Sequence, residues 1–470
     1  MEILLEIFDT YRQLHGFQPN YKKAWNSRDG WFKLAHVCLH WRRVVFSSSS
    51  RLHVCLLFTP WRSSREPFLR DLPRFPILID YRIELWDTEK EVNFELAVNG
   101  HHQSRVRGIA VRSPYRPRVL ETLSHPFPEL ESLEFESYGS YPYDPPPGLD
   151  LTATLLSGSA PSLRRLTLQE VELASLIPLL SSTTGLEELA LKLWVTRGTH
   201  PEVLFIANLQ RMSCLCRLEF KFEFCGPIIA ASPNPPLPAS ARDVVPLPRL
   251  TDFIFVGHSS YLEILATRLA APSLRHLDAE YYGEDATSPL PQLCKFINDS
   301  ECHFKAIRLD LSSPGVTLSA DTCSKFDHAE PAFRICIPLP IPWEDIGQML
   351  SGPLSTVEEL VIGWTFPAFR LVQHHNIPWH ALFYHIPQVK LVKMLQVNFQ
   401  VTLDVAHALQ LDGQEPALDL LPSLEQVEVK LPTFILESTR SAAYVRIRDA
   451  FQPLISTRQQ VGHPIKLSIN

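Results

Sequence analysis

Four histidines lie close together in the sequence, and their side chains are of the kind that bind zinc. They are His374, His375, His380 and His385, grouped around Trp379. A zinc site on a helix uses two histidines four residues apart, or adds cysteine and carboxylate ligands, and the spacing here supplies neither arrangement. We therefore expect these histidines on a polar helix face or in a loop, and we predict no metal site.

Two other motifs resemble enzyme motifs but lack an essential residue. Cys214 and Cys216 are separated by one residue, so the two-residue spacer of a redox C-x-x-C is missing, and on a strand both would point to one face. Ser157 lacks the first glycine of a nucleophile elbow. No two glycines stand one residue apart and none precedes lysine, which excludes the dinucleotide fingerprint and the P-loop. We predict no catalytic residue and no cofactor.

Composition and charge narrow the function classes further. The 470 residues are 45% apolar, with 26 Phe, 12 Tyr and 9 Trp, which allows several packed domains. The formal charge of −7 gives no overall electrostatic attraction to nucleic acid. Residues 1–125 hold 19 Lys and Arg against 13 Asp and Glu, whereas residues 126–470 hold 25 against 38. The sequence predicts a basic head before an acidic body.

Targeting signals and cysteines bear on the compartment. We find no basic and apolar signal peptide at the start and no apolar run of membrane-spanning length, so we predict no membrane partner. Nine cysteines in a long chain are typical of reduced thiols. We expect a cytoplasmic or nuclear protein.

A short apolar pattern recurs along most of the chain, on average about 29 residues apart. Two apolar residues stand three apart and a third follows two later, as in the L-x-x-L-x-L strand of leucine-rich repeats. Helical stretches separate the instances, which favours parallel strands. The clearest instances are Leu130, Leu133 and Phe135; Leu163, Leu166 and Leu168; Leu186, Leu189 and Leu191; Leu215, Leu218 and Phe220; Leu250, Phe253 and Phe255; Phe304, Ile307 and Leu309; Val357, Leu360 and Ile362; Val389, Val392 and Met394; and Leu424, Val427 and Val429.

Along each predicted strand, the residues between and after the buried pair face the opposite side of the sheet. In a solenoid this is the concave side, where a protein partner binds, although an ordinary solvated face would show the same alternation. Its carboxylates favour a basic substrate. The candidate substrate-binding residues are Glu134, Glu136, Glu219, Ile254, Val256, Asp278, Glu280 and Asp310.

The first fifty residues form a separate short segment. Apolar residues spaced by three and four predict one helix over 2–13 and a second from Leu34 through Trp41 to Val45. Two proline clusters, at 142–147 and 233–238, interrupt the later repeats and predict surface loops. A polyproline ligand for an SH3 or WW domain is the alternative interpretation of these clusters.

The head resembles an F-box. Residues 2–8, EILLEIF, and 34–42, LAHVCLHWR, follow the family pattern L-P-x-E-[IL]-L-x-x-I-F and L-x-x-V-C-x-x-W, although the Leu-Pro pair has no counterpart. The linking residues, with Trp25 and Trp31, and the later repeats, such as 125–133 and 156–166, resemble F-box proteins of mushroom-forming fungi. The resemblance extends over nearly the whole chain.

This resemblance implies the substrate-recognition subunit of an SCF-type cullin-RING ubiquitin ligase. The head would bind a Skp-type adaptor, and through it cullin, while the repeats hold an unknown protein substrate. The adaptor-binding residues would be Leu4, Leu5, Ile7, Phe8, Leu34, Val37, Cys38 and Trp41. Apolar surface on so short a head needs cover, which the first repeat could also supply.

The expected fold is α/β, with a short all-α F-box-like head followed by an irregular leucine-rich-repeat solenoid. The expected domains are the head at 1–50, a connecting segment and first repeat at 51–105, and the solenoid at 106–470. The alternative function is a leucine-rich-repeat interaction scaffold with no ubiquitin-ligase link.

Overall fold

The computed structural model of the chain describes most of the predicted strands and part of the head. The described residues are 3–4, 6–7, 10, 37–47, 54–58, 76–82, 102–113, 122–137, 155–171, 173–195, 201–224, 244–282, 290–300, 304–311, 315–321, 331–338, 352–364, 379–410, 420–432 and 437–470. Both proline clusters lie outside them. Contacts between residues divide the chain into two compact units, which are described separately below.

The first unit comprises Met1–Leu204, Arg211–Leu215 and Glu223–Cys225. Its described strands pair in chain order, and every pair is parallel. The strands are β1 (Val54–Phe58), β2 (Ile77–Arg82), β3 (Val106–Ser113), β4 (Ser132–Ser137), β5 (Arg165–Val171) and β6 (Glu188–Val195). The helices are α1 (Leu39–Ser47) and α2 (Leu173–Ser182), with 3-10 turns at Gln103–Arg105 and Leu155–Gly158.

The second unit comprises Phe205–Gln210, Cys216–Phe222 and Gly226–Asn470. Its main strands are β7 (Arg217–Phe224), β9 (Asp252–His258), β11 (His276–Tyr282), β12 (Ala306–Leu311), β13 (Gly315–Asp321), β14 (Phe333–Pro338), β15 (Glu359–Trp364), β16 (Leu391–Leu395), β17 (Gln426–Lys430) and β18 (Lys466–Ile469); β8 (Val245–Pro246) and β10 (Leu269–Ala270) form a separate pair. The helices are α3 (Pro201–Leu209, which begins in the first unit), α4 (Ser259–Arg268), α5 (Pro291–Asn298), α6 (Trp379–Tyr384), α7 (Phe399–Ala408) and α8 (Glu437–Gln460), with a 3-10 turn at Pro353–Thr356.

One part of this sheet runs against the chain order. From β11 the neighbouring strands are β14, β13, β12 and then β15, with β13 antiparallel to both β12 and β14. Only three residues separate Leu311 from Gly315, and so short a link joins antiparallel strands, whereas a parallel crossover needs about a dozen residues. The expected uniform succession of parallel repeats is therefore wrong between 306 and 338.

The recurring apolar pattern marks the core, as predicted. Leu133 stands opposite Leu166, and Leu166 opposite Leu189, in the first unit. In the second unit Leu360 stands opposite Val392, and this residue opposite Val427. Every residue of the nine clearest triples is almost wholly buried. The protein is thus mixed α/β with largely parallel sheets, and the last two residues of each triple occupy equivalent strand positions on the buried face.

Helices α4 and α5 are joined by a carboxylate. Leu290 offers no side-chain cap to α5 and Pro291 has no N–H, so the next two amides need an acceptor from elsewhere. Glu263 of α4 accepts hydrogen bonds from Gln292 N (3.1 Å) and Leu293 N (3.0 Å). This contact fixes the start of α5 against α4.

The described residues of the head are helical in two places. Residues 3, 4, 6, 7 and 10 lie in the predicted first helix, and α1 begins at Leu39, later than the predicted Leu34. Cys38 explains this start, because its Sγ accepts a hydrogen bond from Trp41 N (3.4 Å) and its carbonyl accepts one from Arg42 N (3.0 Å). Among the described residues, no helix has the length and apolar character needed to cross a membrane.

Candidate functional site

Apolar side chains of the head are accessible to solvent. Ile3, Ile7, Val37 and Leu39 are 42–73% exposed, and they make up half of the large apolar residues that are exposed in the described part of the chain. Val44, on the same helix as Leu39, is buried. All four lie within the head predicted at 1–50.

The predicted adaptor-binding residues fall into three groups. Ile7, Val37 and Cys38 are exposed, and Leu4 and Trp41 are half-buried. Leu5, Phe8 and Leu34 lie outside the described residues. Exposed Leu39 was not among the predicted residues, although it stands two residues after Val37.

In the first unit, the predicted carboxylates are paired with an arginine from the neighbouring strand. Arg112 on β3 donates to Glu134 Oε1 (2.6 Å) through NH2 and contacts Glu136 Oε2 (2.8 Å) through Nε. The Arg112 side chain is only 14% exposed. Burial raises the pKa of Glu136, and Arg112 opposes this effect without cancelling it. These two residues therefore form a structural ion pair with Arg112.

In the second unit, the remaining six predicted residues lie on one face of the sheet in two rows. Glu219, Ile254 and Asp278 stand opposite one another on β7, β9 and β11. Val256 and Glu280 form the next row, two residues further along the strands. Asp310 continues the second row on β12, separated from Glu280 by one residue each of β14 and β13. We call this surface the polar face.

Three of the four carboxylates on the polar face have cationic partners. Glu219 accepts from Lys221 Nζ (2.6 Å) and Arg217 NH2 (3.3 Å). Burial alone would raise the pKa of Glu219, but the hydrogen bonds and charges of Lys221 and Arg217 outweigh it, so the pKa is lowered. Glu280, in contrast, is exposed and has no ion pair among the described residues.

Asp278 and Asp310 are paired with arginines that the polar face itself supplies. Arg334 Nε donates to Asp278 Oδ1 (2.9 Å) across the β11–β14 contact. Burial lowers the pKa of Arg334, but the charge and hydrogen bond of Asp278, together with the charges of Cys336 and Glu280, outweigh this effect and the pKa is raised. Arg308 Nε donates to Asp310 Oδ2 (2.8 Å), whereas the buried Oδ1 has no hydrogen-bond partner in the described structure.

These pairs change the chemistry of the face. Lys221, Arg217, Arg308 and Arg334 pair with three of the four carboxylates, so most but not all of the negative charge of the face is neutralised; Asp252, opposite Arg217, adds a further carboxylate to it. The expected preference for a basic substrate stays a prediction. Ile254 and Val256, both half-buried, are the apolar residues between the strands that carry these ion pairs.

The sequence could reveal some of these ion pairs and not others. Arg217, Glu219 and Lys221 alternate on one strand, so their shared face was readable from the sequence. The pairing of Asp278 with Arg334 was not readable, because it depends on β14 lying beside β11, 56 residues away in the chain.

The structure also locates most of the residues that resemble enzyme or metal-binding motifs. Cys214 and Cys216 precede β7 instead of lying on a strand, and neither is joined in a disulfide. Ser157 has a positive φ of 54° and donates its hydroxyl hydrogen to Ser124 O (2.8 Å). Within the described ranges, no three His, Cys, Asp or Glu side chains are grouped so that they could hold a metal ion; His374 and His375 lie outside these ranges.

Comparison with known proteins adds no assignment. No protein-family model matches the chain, and no curated protein matches it significantly.

Proposed function

We propose that this protein is a non-catalytic substrate receptor of an SCF-type ubiquitin ligase. Its head binds a Skp-type adaptor, and its strand-and-helix repeats, an irregular leucine-rich-repeat solenoid, hold a protein substrate. Ubiquitin transfer belongs to the partners of the complex. The proposal places the protein in the cytoplasm or the nucleus, where such complexes work.

The observation that carries the proposal is the accessible apolar surface of the head. Ile7 and Val37 occupy positions of the F-box pattern that would face an adaptor, and both are exposed. Trp41 remains half-buried although it is the largest apolar side chain of α1. Covering these side chains would contribute roughly 25 cal/mol per Å² of apolar area, and this is the driving force of the proposed complex.

The polar face supports the substrate half of the proposal. Ile254 and Val256 would form the desolvated centre of the contact, and the paired charges would form its rim. Ion pairs at a rim contribute little affinity but disfavour partners with mismatched charges. Glu280, whose carboxylate has no ion pair in the described part, would be the residue of this rim that attracts a cation of the substrate.

Co-purification with a Skp-type adaptor tests the proposal. The full chain and its Ile7→Asp/Val37→Asp variant are each co-expressed with a tagged adaptor. Because a carboxylate on either residue cannot be desolvated cheaply, the double variant should lose the adaptor. The matched control is Val445→Asp on α8, where the side chain is 56% exposed compared with 59% for Val37, and it should retain the adaptor.

Three results distinguish the alternatives. Capture of the adaptor by wild type and by Val445→Asp, but not by the head variant, supports the receptor. Equal capture by all three would show that the apolar head surface is not the binding site. No capture by wild type would overturn the ligase assignment and leave the interaction scaffold.

A further inference from the structure

The last strand of the second unit has an open edge. In the described part of the chain, β18 pairs with β17 alone and stands last in the strand order. Lys466 N donates to Glu425 O (2.9 Å), Asn470 N donates to Val429 O (2.9 Å), and Leu431 N donates to Asn470 O (3.0 Å). The even-numbered residues 466–470 thus direct their backbone N–H and C=O groups toward the β17 side. Because these directions alternate along a strand, the N–H and C=O groups of Leu467 and Ile469 point away from β17.

The apolar side chains at this edge are only partly covered. Leu467 and Ile469 stand opposite Val427 and Val429, which are only 1% exposed. Leu467 and Ile469 themselves are half-buried. The apolar face of the sheet therefore extends to β18, the edge strand, where part of its apolar surface remains accessible to solvent.

This edge has only part of the usual protection against pairing. Edge strands are commonly protected by shortness, by lysine, or by proline, a bulge or inward-pointing charge, and β18 has the first two of these features and none of the others. β18 has the sequence Lys466-Leu467-Ser468-Ile469, pairs with β17 without a break in register, and has one charge, which lies on the face opposite the core. An added strand would meet no steric or electrostatic barrier from these residues.

We propose that a second copy of this chain occupies the edge, with β18 pairing antiparallel to β18 about a two-fold axis through Ser468. This register places Leu467 opposite Ile469 of the second copy, and Ile469 opposite its Leu467. Each outward N–H and C=O then bonds to its counterpart, which gives four backbone hydrogen bonds. Lys466 lies opposite Asn470, so no like charges meet. The partly covered apolar side chains of the two edge strands then cover one another.

The test is the mass of the full chain in solution, measured by sedimentation over a range of concentrations. Wild type should shift from monomer to dimer as concentration rises. In Leu467→Lys/Ile469→Lys, lysine faces lysine in both pairs, and the protein should stay monomeric. In Leu467→Lys/Ile469→Glu, lysine faces glutamate in both pairs, and dimerisation should return. The control Tyr384→Lys/Val445→Lys changes two exposed apolar residues on helices α6 and α8, and this variant should dimerise as wild type does.

Hydrogen exchange of the β18 amides checks the location. Leu467 and Ile469 should exchange fast in the dilute monomer and slowly in the concentrated dimer. A monomer at all concentrations would overturn the proposal. So would protection of both amides at every concentration, which would mean that another segment of the same chain covers the edge. A dimer that survives the double lysine change, or one that the Lys/Glu pair does not restore, would exclude this pairing. None of these results depends on adaptor binding.

Discussion

Arg112 is the residue whose removal tests the ion pairs of the sheet most strongly. Arg112→Met keeps most of the packing of the side chain but leaves Glu134 and Glu136 without their shared cation. Removing one member of a buried pair costs about 3–5 kcal/mol. Since the Glu134 side chain is 27% exposed, solvent recovers part of this cost, and we expect a loss of about 2–3 kcal/mol at neutral pH.

The loss in Arg112→Met should depend on pH. Burial already raises the pKa of Glu136, and without Arg112 it should rise further. A carboxyl whose pKa is higher folded than unfolded stabilises the fold at low pH and loses that contribution as pH rises through the folded pKa. The deficit of the variant relative to wild type should therefore be largest at neutral pH and shrink toward the ordinary pKa of glutamate.

The stability deficit of Arg112→Met is measured by urea unfolding, followed by tryptophan fluorescence, at neutral and mildly acidic pH. The matched control is Arg164→Met, whose pair with Glu187 joins side chains that are 62% and 43% exposed. Such an exposed pair contributes about 0–1 kcal/mol, so the control should unfold close to wild type. If Arg112→Met unfolded at the same urea concentration as Arg164→Met, or if its deficit grew on acidification, the buried ion pair would not have the role assigned to it.

Two further substitutions test local packing. Glu263→Ala removes the acceptor of the Gln292 and Leu293 amides, at a cost of about 1–2 kcal/mol, so amides at the start of α5 should exchange roughly 5–30-fold faster; unchanged exchange would contradict the capping role. In Gly363→Ala, the new Cβ would clash with Asp310 Oδ1, and we expect a loss of about 1–3 kcal/mol in urea unfolding. Gly185→Ala, where a Cβ meets nothing within 4 Å, is the control, and equal stability of the two variants would argue against the clash.

The buried face of the sheet was predictable because its signal is local. Each apolar triple combines the two-residue period of a strand with an apolar residue in the preceding turn, as in Leu163, Leu166 and Leu168. Position alone thus predicted which side chains are buried, whichever strands are neighbours. In β13, Val316, Leu318 and Ala320 alternate with polar residues, which is the same local signal of a strand with one buried face. The strand was nevertheless missed, because these residues do not follow the spacing of the apolar triples.

The polar face was predictable only in part. Membership of the face follows from alternation, and all six residues predicted in the second unit lie on it. Their charge state does not follow, because a carboxylate such as Asp278 is neutralised by a residue that only the strand order brings near. These pairs reduce the negative charge on which the expectation of a basic substrate rests, and that expectation stays a prediction. Net charge along the sequence did not reveal which cations pair with these carboxylates, some from the same strand and Arg334 from the neighbouring one.

Equilibrium titration of the purified full chain with a purified Skp-type adaptor tests the proposed function most directly. We predict saturable binding of one adaptor per chain, with affinity lost in Ile7→Asp/Val37→Asp and kept in Val445→Asp. Addition of the adaptor should also slow hydrogen exchange in α1, which carries Leu39 and Trp41, while leaving the strands of the polar face unchanged. Absence of binding by the wild-type chain, or protection confined to the polar face, would contradict the assignment of the head as the adaptor-binding element.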